Sequence, residues 1–265
     1  MGTMETARFG RTENHMTEGL PRHSSAMVTT SWDDGHPLDM RVAERLATYG
    51  MVGTFYVPLH SRARPLMTTE QLQTLRHMGM EIGSHTVMHH DLTRIAPAQA
   101  RVELRHSKDG LEQLLGAPVT ALCYPKGKFN RQVRSLTAAA GYSLARTTLA
   151  FRTDTDFDPL CMPVSLQVFP HTSLVHLKHA IKESNLRGLL NWSRLWRLEN
   201  DPVKLSRLIV DSIQPSGGIC HIWGHSWEIE QYGLWQLCEG ILQQIAHREH
   251  VHYLTNTQVL QQMRR

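Results

Sequence analysis

The chain has 265 residues, 41% hydrophobic and 20% charged, which is enough apolar material for a sizeable core and excludes global disorder. The net charge of +4 is thinly spread, with no run of five basic residues, so neither a nucleic-acid partner nor a dedicated membrane surface is expected. No apolar stretch reaches the roughly 18 residues of a transmembrane segment. The polar start of the chain, with Arg8, Arg11, Glu13, Glu18 and Arg22, lacks the apolar core of a secretory signal, so a cytoplasmic location is expected.

Residues 1–25 show no periodicity and read as a flexible leader. Residues 26–32 are β-prone and run into Asp33-Asp34-Gly35, a turn signal. Leu38, Val42, Leu46 and Tyr49 then repeat at helical spacing, and a strand is expected over 53–58. Thr68-Thr-Glu-Gln71 has the form of a capping box opening a second helix. A short strand at 80–84 leads into His85, and a longer helix is expected over 97–115. A strand (119–124), a helix (132–140) and a strand (143–148) follow. Residues 171–205 read as a helical insertion, 217–224 as a late strand, 234–247 as a helix, and 251–254 as the strand that closes the chain. Strands alternating with helices predict a parallel α/β sheet in a single domain over 26–265.

The four cysteines, Cys123, Cys161, Cys220 and Cys238, are far apart and form no CxxC pair, so they read as reduced thiols. Seventeen histidines make spacing alone a poor witness: chance gives about one i, i+4 pair, and two occur, His85/His89 and His221/His225. Context is more informative. In sheets of this kind, sites gather at the carboxyl ends of strands. Asp33-Asp34, His85 to His89, Tyr124-Pro-Lys-Gly127 and His225 all fall at such ends. One carboxylate and two imidazoles make an N,N,O set that leaves open positions on a divalent ion. Zn2+ suits this set best, with Co2+ or another first-row ion as alternatives. Such an ion lowers the pKa of water from about 15.7 to about 7. A second carboxylate accepts a proton and a histidine across the site donates one, which amounts to metal-assisted hydrolysis of an amide or ester.

These residues also carry a resemblance. Ser31-Trp-Asp-Asp-Gly35 resembles the Thr-Phe-Asp-Asp-Gly signature of the polysaccharide deacetylases, the NodB-homology or carbohydrate esterase 4 family. His85-Thr-Val-Met-His89 matches that family's His-Ser/Thr-x-x-His motif, and Cys123-Tyr-Pro-Lys-Gly127 resembles its Arg-x-Pro-x-Gly motif. Trp223-Gly-His225 stands where its Leu-x-His motif falls, so the resemblance spans roughly 26–260. It implies a distorted (β/α) barrel of about seven parallel strands. It also implies Asp33 as catalytic base, Asp34, His85 and His89 as metal ligands, the backbone N–H of Tyr124 as an oxyanion donor, and His225 as general acid.

Two departures stand out. The motif-three arginine is Cys123 here, and Arg146 at the end of the next strand is a candidate replacement. The family's paired-aspartate motif with a tryptophan has no clear counterpart; Asp154, Asp156 and Asp158 lie in the region without the tryptophan. Glu228 is a candidate to tune His225, and His221 competes for the acid role. His36 and Asp39 follow the Asp-Asp turn at the rim. Trp32, Trp223 and Trp227 are candidate stacking faces for a sugar.

The expected activity is removal of an acetyl or other small acyl group from an N-acetylated sugar or related amide. The substrate is an acetylated sugar, a lipid-linked or nucleotide-linked glycan, or a small acylated metabolite, and an oligomer is compatible with the sequence. The alternative is a non-catalytic glycan-binding module on the same fold.

Overall fold

The structure, a computed structural model, describes residues 25–264, so the expected leader lies outside the described residues except for Ser25. Among the described residues, eight strands form one sheet, and every pairing is parallel. They are β1 (Ala26–Asp33), β2 (Thr54–Val57), β3 (Glu81–Ser84), β4 (Ala121–Cys123), β5 (Leu144–Arg146), β6 (Leu166–Gln167), β7 (Gly218–Gly224) and β8 (Val251–Tyr253). Seven follow the order β5-β4-β3-β2-β1-β7-β6. The eighth, β8, pairs with the first half of β1 (Ala26 to Val28), beside the half that β2 takes (Ser31 to Asp33).

The sheet curls until its edges meet. Met162 donates its N–H to the Ala145 carbonyl at 2.8 Å, and Ser165, three residues on, donates to the His221 carbonyl at 2.8 Å. One short segment thus ties β5 to β7. The result is the expected distorted barrel, with seven strands on its main path.

Strand alternation sorts the side chains into two layers. Met27, Tyr56, Ala121, Cys123, Leu144, Met162 and Ile219 fill the barrel interior. Ala26, Val28, Trp32, Phe55, Ile82 and Leu122 pack outward against the helices. These include α1 (Asp39–Thr48), α2 (Thr69–His77), α3 (Pro97–Leu115) and α4 (Arg131–Ala139). The Thr68 capping box opens α2 as expected, both of its reciprocal bonds being present.

Three elements differ from the sequence expectation. β6 has only two residues and was not anticipated. The chain ends on a helix, α10 (Asn256–Met263), after β8 rather than on that strand. This helix closes the bottom of the barrel: Asn256 accepts from Thr29 Oγ1 at 2.7 Å and donates to Tyr56 Oη at 2.8 Å. Residues 171–205 hold α5 (Ser173–Lys182), α6 (Leu186–Leu190) and a π-turn (Asn191–Leu195), but Pro202 already begins α7 (Pro202–Ile213). α7 belongs to the scaffold and packs on β7 and α9 (Trp235–Ile245) through Leu205, Ile209 and Ile213.

Candidate active site

Asp33 is the last residue of β1 and points into the barrel, 3% exposed. Asp34 sits just beyond, in a left-handed turn (φ 76°) completed by Gly35 (φ 59°), where a Cβ would meet Val57 Cγ1 at 2.9 Å. The turn sends the two neighbouring carboxylates to different partners.

Asp34 Oδ1 lies 3.7 Å from His85 Nε2 and 3.5 Å from His89 Nε2. One ligand atom from each of these residues falls within 4.8 Å of the others. The chemistry fits a divalent ion. The His85 Nδ1–H donates to the Cys123 carbonyl at 2.9 Å, leaving Nε2 bare toward the cluster. Burial first, then the charge of His85, pulls His89 down to about 4, so its imidazole is neutral at ordinary pH. The second oxygen of Asp34 accepts from Trp227 Nε1 at 2.9 Å, and the Arg64 guanidinium lies 3.3 Å over the Trp227 ring.

The His85–His89 segment is not helical. Left-handed residues Thr86 (φ 68°) and His89 (φ 56°) fold it so that the two rings meet edge to face, 4.6 Å between centroids. Glu103, buried on α3, holds that shape. It accepts from the backbone N–H groups of Val87 and Met88, each at 2.9 Å, and contacts His90 Nδ1 at 3.0 Å. The sequence reading missed Glu103. Its signal was an acidic residue on the same helix face as Ala100, Leu104, Ser107 and Leu111.

Asp33 is paired with the fully buried Arg146 through Oδ1. Arg146 is the register partner of Cys123 on the adjoining strand, so a guanidinium one strand over reaches the same level of the barrel. Cys123 itself lies 3.7 Å from Asp33 Oδ2, and burial pushes its thiol well up, so it stays neutral. Burial pushes the Asp33 carboxyl up, but Arg146, His85 and His225 outweigh it and hold it below the usual carboxylate range.

His225 caps the start of α8 (Ser226–Gln231). Its Nδ1 contacts Glu228 Oε2 at 3.2 Å and its Nε2 lies 4.0 Å from Asp33 Oδ2. Burial pulls the imidazole down, yet Glu228, Asp33 and Asp34 raise it above its ordinary value. The competitor His221 is saturated inside the barrel, with Ser31 Oγ at 2.9 Å and the Pro163 carbonyl at 3.0 Å. Burial and Arg146 pull it down to about 3, and it does not reach the cleft.

Several expectations need correction. Trp32 offers no stacking face: it is 0% exposed and packs outward, because neighbours on a strand point to opposite faces and Asp33 points in. The Tyr124 N–H already donates to the Arg146 carbonyl at 3.2 Å, and its side chain is buried, so it is not a free oxyanion donor. Asp39 is not at the rim but fully buried, bonded to Ser226 Oγ at 2.5 Å, and burial raises it well above the carboxylate range. Asp154 pairs with Arg152 and Arg187, and Asp158 with Arg134, all outside the cleft. Trp223 does line the cleft, its ring 5.5 Å from that of His225. That cleft, about 430 Å³, opens over Asp33, Asp34, His85, His89 and His225.

The polysaccharide deacetylase family profile matches residues 21–145, which carry the first three motifs. The chain is also 28% identical over 127 residues to YxkH of Bacillus subtilis (strain 168), a protein provisionally named a polysaccharide deacetylase. Just under half of the chain is thus similar to the polysaccharide deacetylase family. The match to YxkH takes in 47% of this chain and 46% of YxkH, so the chain spans about half the length of that curated relative.

Solved structures extend the likeness of fold beyond the matched half. One from Mycobacterium smegmatis, also provisionally named a polysaccharide deacetylase, has a TM-score of 0.64 at 15% identity, covering 93% of this chain and 92% of that one. A family 4 carbohydrate esterase from Streptomyces lividans, solved with acetate, has a TM-score of 0.53 at 15% identity, covering 86% and 91%. The likeness of fold therefore runs through β7, the strand that leads to His225.

Proposed function

We propose that this chain is a metal-dependent hydrolase that removes an acetyl or other small acyl group from an N-acetylated sugar or a related amide. The observation that carries the reading is the split of two adjacent carboxylates: Asp34 joins two imidazoles, while Asp33 faces Arg146 and His225. Asp34, His85 and His89 would hold the ion, with Zn2+ the best match to two nitrogens and one oxygen. When bound, it supplies Lewis acidity and a water that ionises near neutral pH.

The remaining steps belong to the chain's own side chains. Asp33 stays ionised because Arg146, with His85 and His225, outweighs its burial, so it can take a proton from the attacking water. His225, raised by Glu228 and the two aspartates, carries the proton that the departing nitrogen needs. Arg146 fixes the Asp33 carboxylate by pairing with one oxygen and leaving the other toward His225. Trp223 offers an aromatic face beside the acid for the sugar ring. The solved esterase with acetate is in keeping with this reading.

The test is acetate release from a panel of acetylated sugars by protein loaded with one equivalent of Zn2+ or Co2+. Asp33→Asn and His225→Ala are each expected to lower the rate by about 10²- to 10⁴-fold. Sugar binding without turnover, or full activity in Asp33→Asn, would contradict the proposal.

A further inference from the structure

The helical excursion between β6 and α7 has two unlike faces. Its inner face is anchored: Phe151 stacks on Trp192 at 5.5 Å, His176 meets both rings edge-on, and Asn185 and Asn191 donate to the carbonyls of Ala150 and Phe151. Its outer face is apolar. Among the described residues, seven of the eleven exposed large hydrophobic side chains lie between 174 and 198. Leu174 (74% exposed), Leu177 and Ile181 (67%) form a stripe at helical spacing on α5. Leu186, Leu190, Leu195 and Leu198 continue it on α6, the π-turn and the residues just beyond, elements that pack against one another. The inner tryptophans already tie the excursion down, so folding does not account for the outer leucines.

Charge selects what covers them. Within 173–198, Lys182 and Glu183 line the cleft, which leaves Lys178, Arg187, Arg194 and Arg197 as the charged residues among the leucines. Arg187 also contacts Asp154, at 3.2 Å. Exposed leucines set among cations match an anionic lipid surface, where apolar side chains enter the headgroup boundary and Lys/Arg meet the phosphates. A second copy of the chain is a poorer match, because a self-complementary interface would bring the same cations together. Among the described residues no helix is long and apolar enough to cross a membrane, so the contact is peripheral.

We infer that the outer face of residues 174–198 docks this protein on an anionic phospholipid surface. The sparse charge of the whole chain argues against such a surface only on average; the excess is local. The opposite side of α5 brings His176, His179 and Lys182 to the cleft, so docking places the cleft beside the lipid headgroups.

The experiment is co-sedimentation of the full chain with sucrose-loaded vesicles of phosphatidylcholine, with and without phosphatidylglycerol. Binding is expected with phosphatidylglycerol and several-fold less without it. The Leu174→Ser/Ile181→Ser variant is expected to weaken binding about tenfold or more, by removing buried apolar area. Lys178→Glu/Arg194→Glu tests the charge separately and is expected to abolish the preference for phosphatidylglycerol. No binding to either vesicle, or wild-type binding by both variants, would overturn the inference. So would a dimer in light scattering that Leu174→Ser/Ile181→Ser dissociates, which would give the face to a second copy. Vesicle binding needs no catalysis, so its failure would leave the proposed hydrolase standing.

Discussion

Asp33 and Asp34 are adjacent in the chain and chemically opposite in the fold. The left-handed turn at Asp34 separates them, and the buried guanidinium of Arg146 fixes Asp33 as an anion. Removing that cation leaves burial opposed only by His85 and His225 and so raises Asp33. Since the base form is lost below its pKa, the acid limb of the pH–kcat/KM profile of Arg146→Met is expected to move up by about one pH unit or more, and Arg146→Lys to recover part of the shift. An unchanged acid limb would separate Arg146 from the base. Asp39 gives a stability test of opposite sign. Its folded pKa lies above the unfolded value of about 3.9, so the native state keeps a proton that the unfolded chain releases, and stability falls as pH rises between the two. Asp39→Asn cannot ionise and can still accept from Ser226. Its melting temperature is expected to exceed the wild type's at about pH 8, with the gap closing toward about pH 4.

At the scale of elements, the metal-ligand candidates depend on a loop whose shape comes from another helix. Glu103 on α3 ties down the backbone between His85 and His89. Glu103→Gln keeps the size but loses the charge that two N–H groups share, and is expected to weaken Zn2+ affinity about 10- to 100-fold in a chelator competition, with the fold retained by circular dichroism. The elements differ in how far the sequence exposes them. β1, β2, β3 and β7 follow from β-prone runs, and α2 from its capping box. α10 has the same signal, Thr255 bonded to Gln258 in a capping box, but it follows so closely on β8 that the strand pattern masks it. β6 is too short for any periodicity to register. The excess of charge over 173–198 forms no basic run, because its cations are spaced among leucines.

At the scale of the molecule, the order of the strands brings residues from distant motifs together. β1, β3 and β7 deliver Asp33-Asp34, His85 and His225 to one end of the barrel, although β3 and β7 are far apart in sequence. Spacing within each motif was legible in the sequence. The pairing across strands was not: that Arg146 lies in register with Cys123 is a property of the sheet, as is the engagement of the Tyr124 N–H by the Arg146 carbonyl. Everything chemical then rests on the convergence of Asp34, His85 and His89. Anomalous diffraction at the zinc edge from crystals of the Zn2+-loaded protein tests it most directly. The expected map has one peak bonded to an Asp34 oxygen and to the Nε2 atoms of His85 and His89, with Asp33 outside the coordination sphere and still paired with Arg146. A peak bonded by Asp33 instead, or no peak among these residues in zinc-loaded protein, would contradict the account.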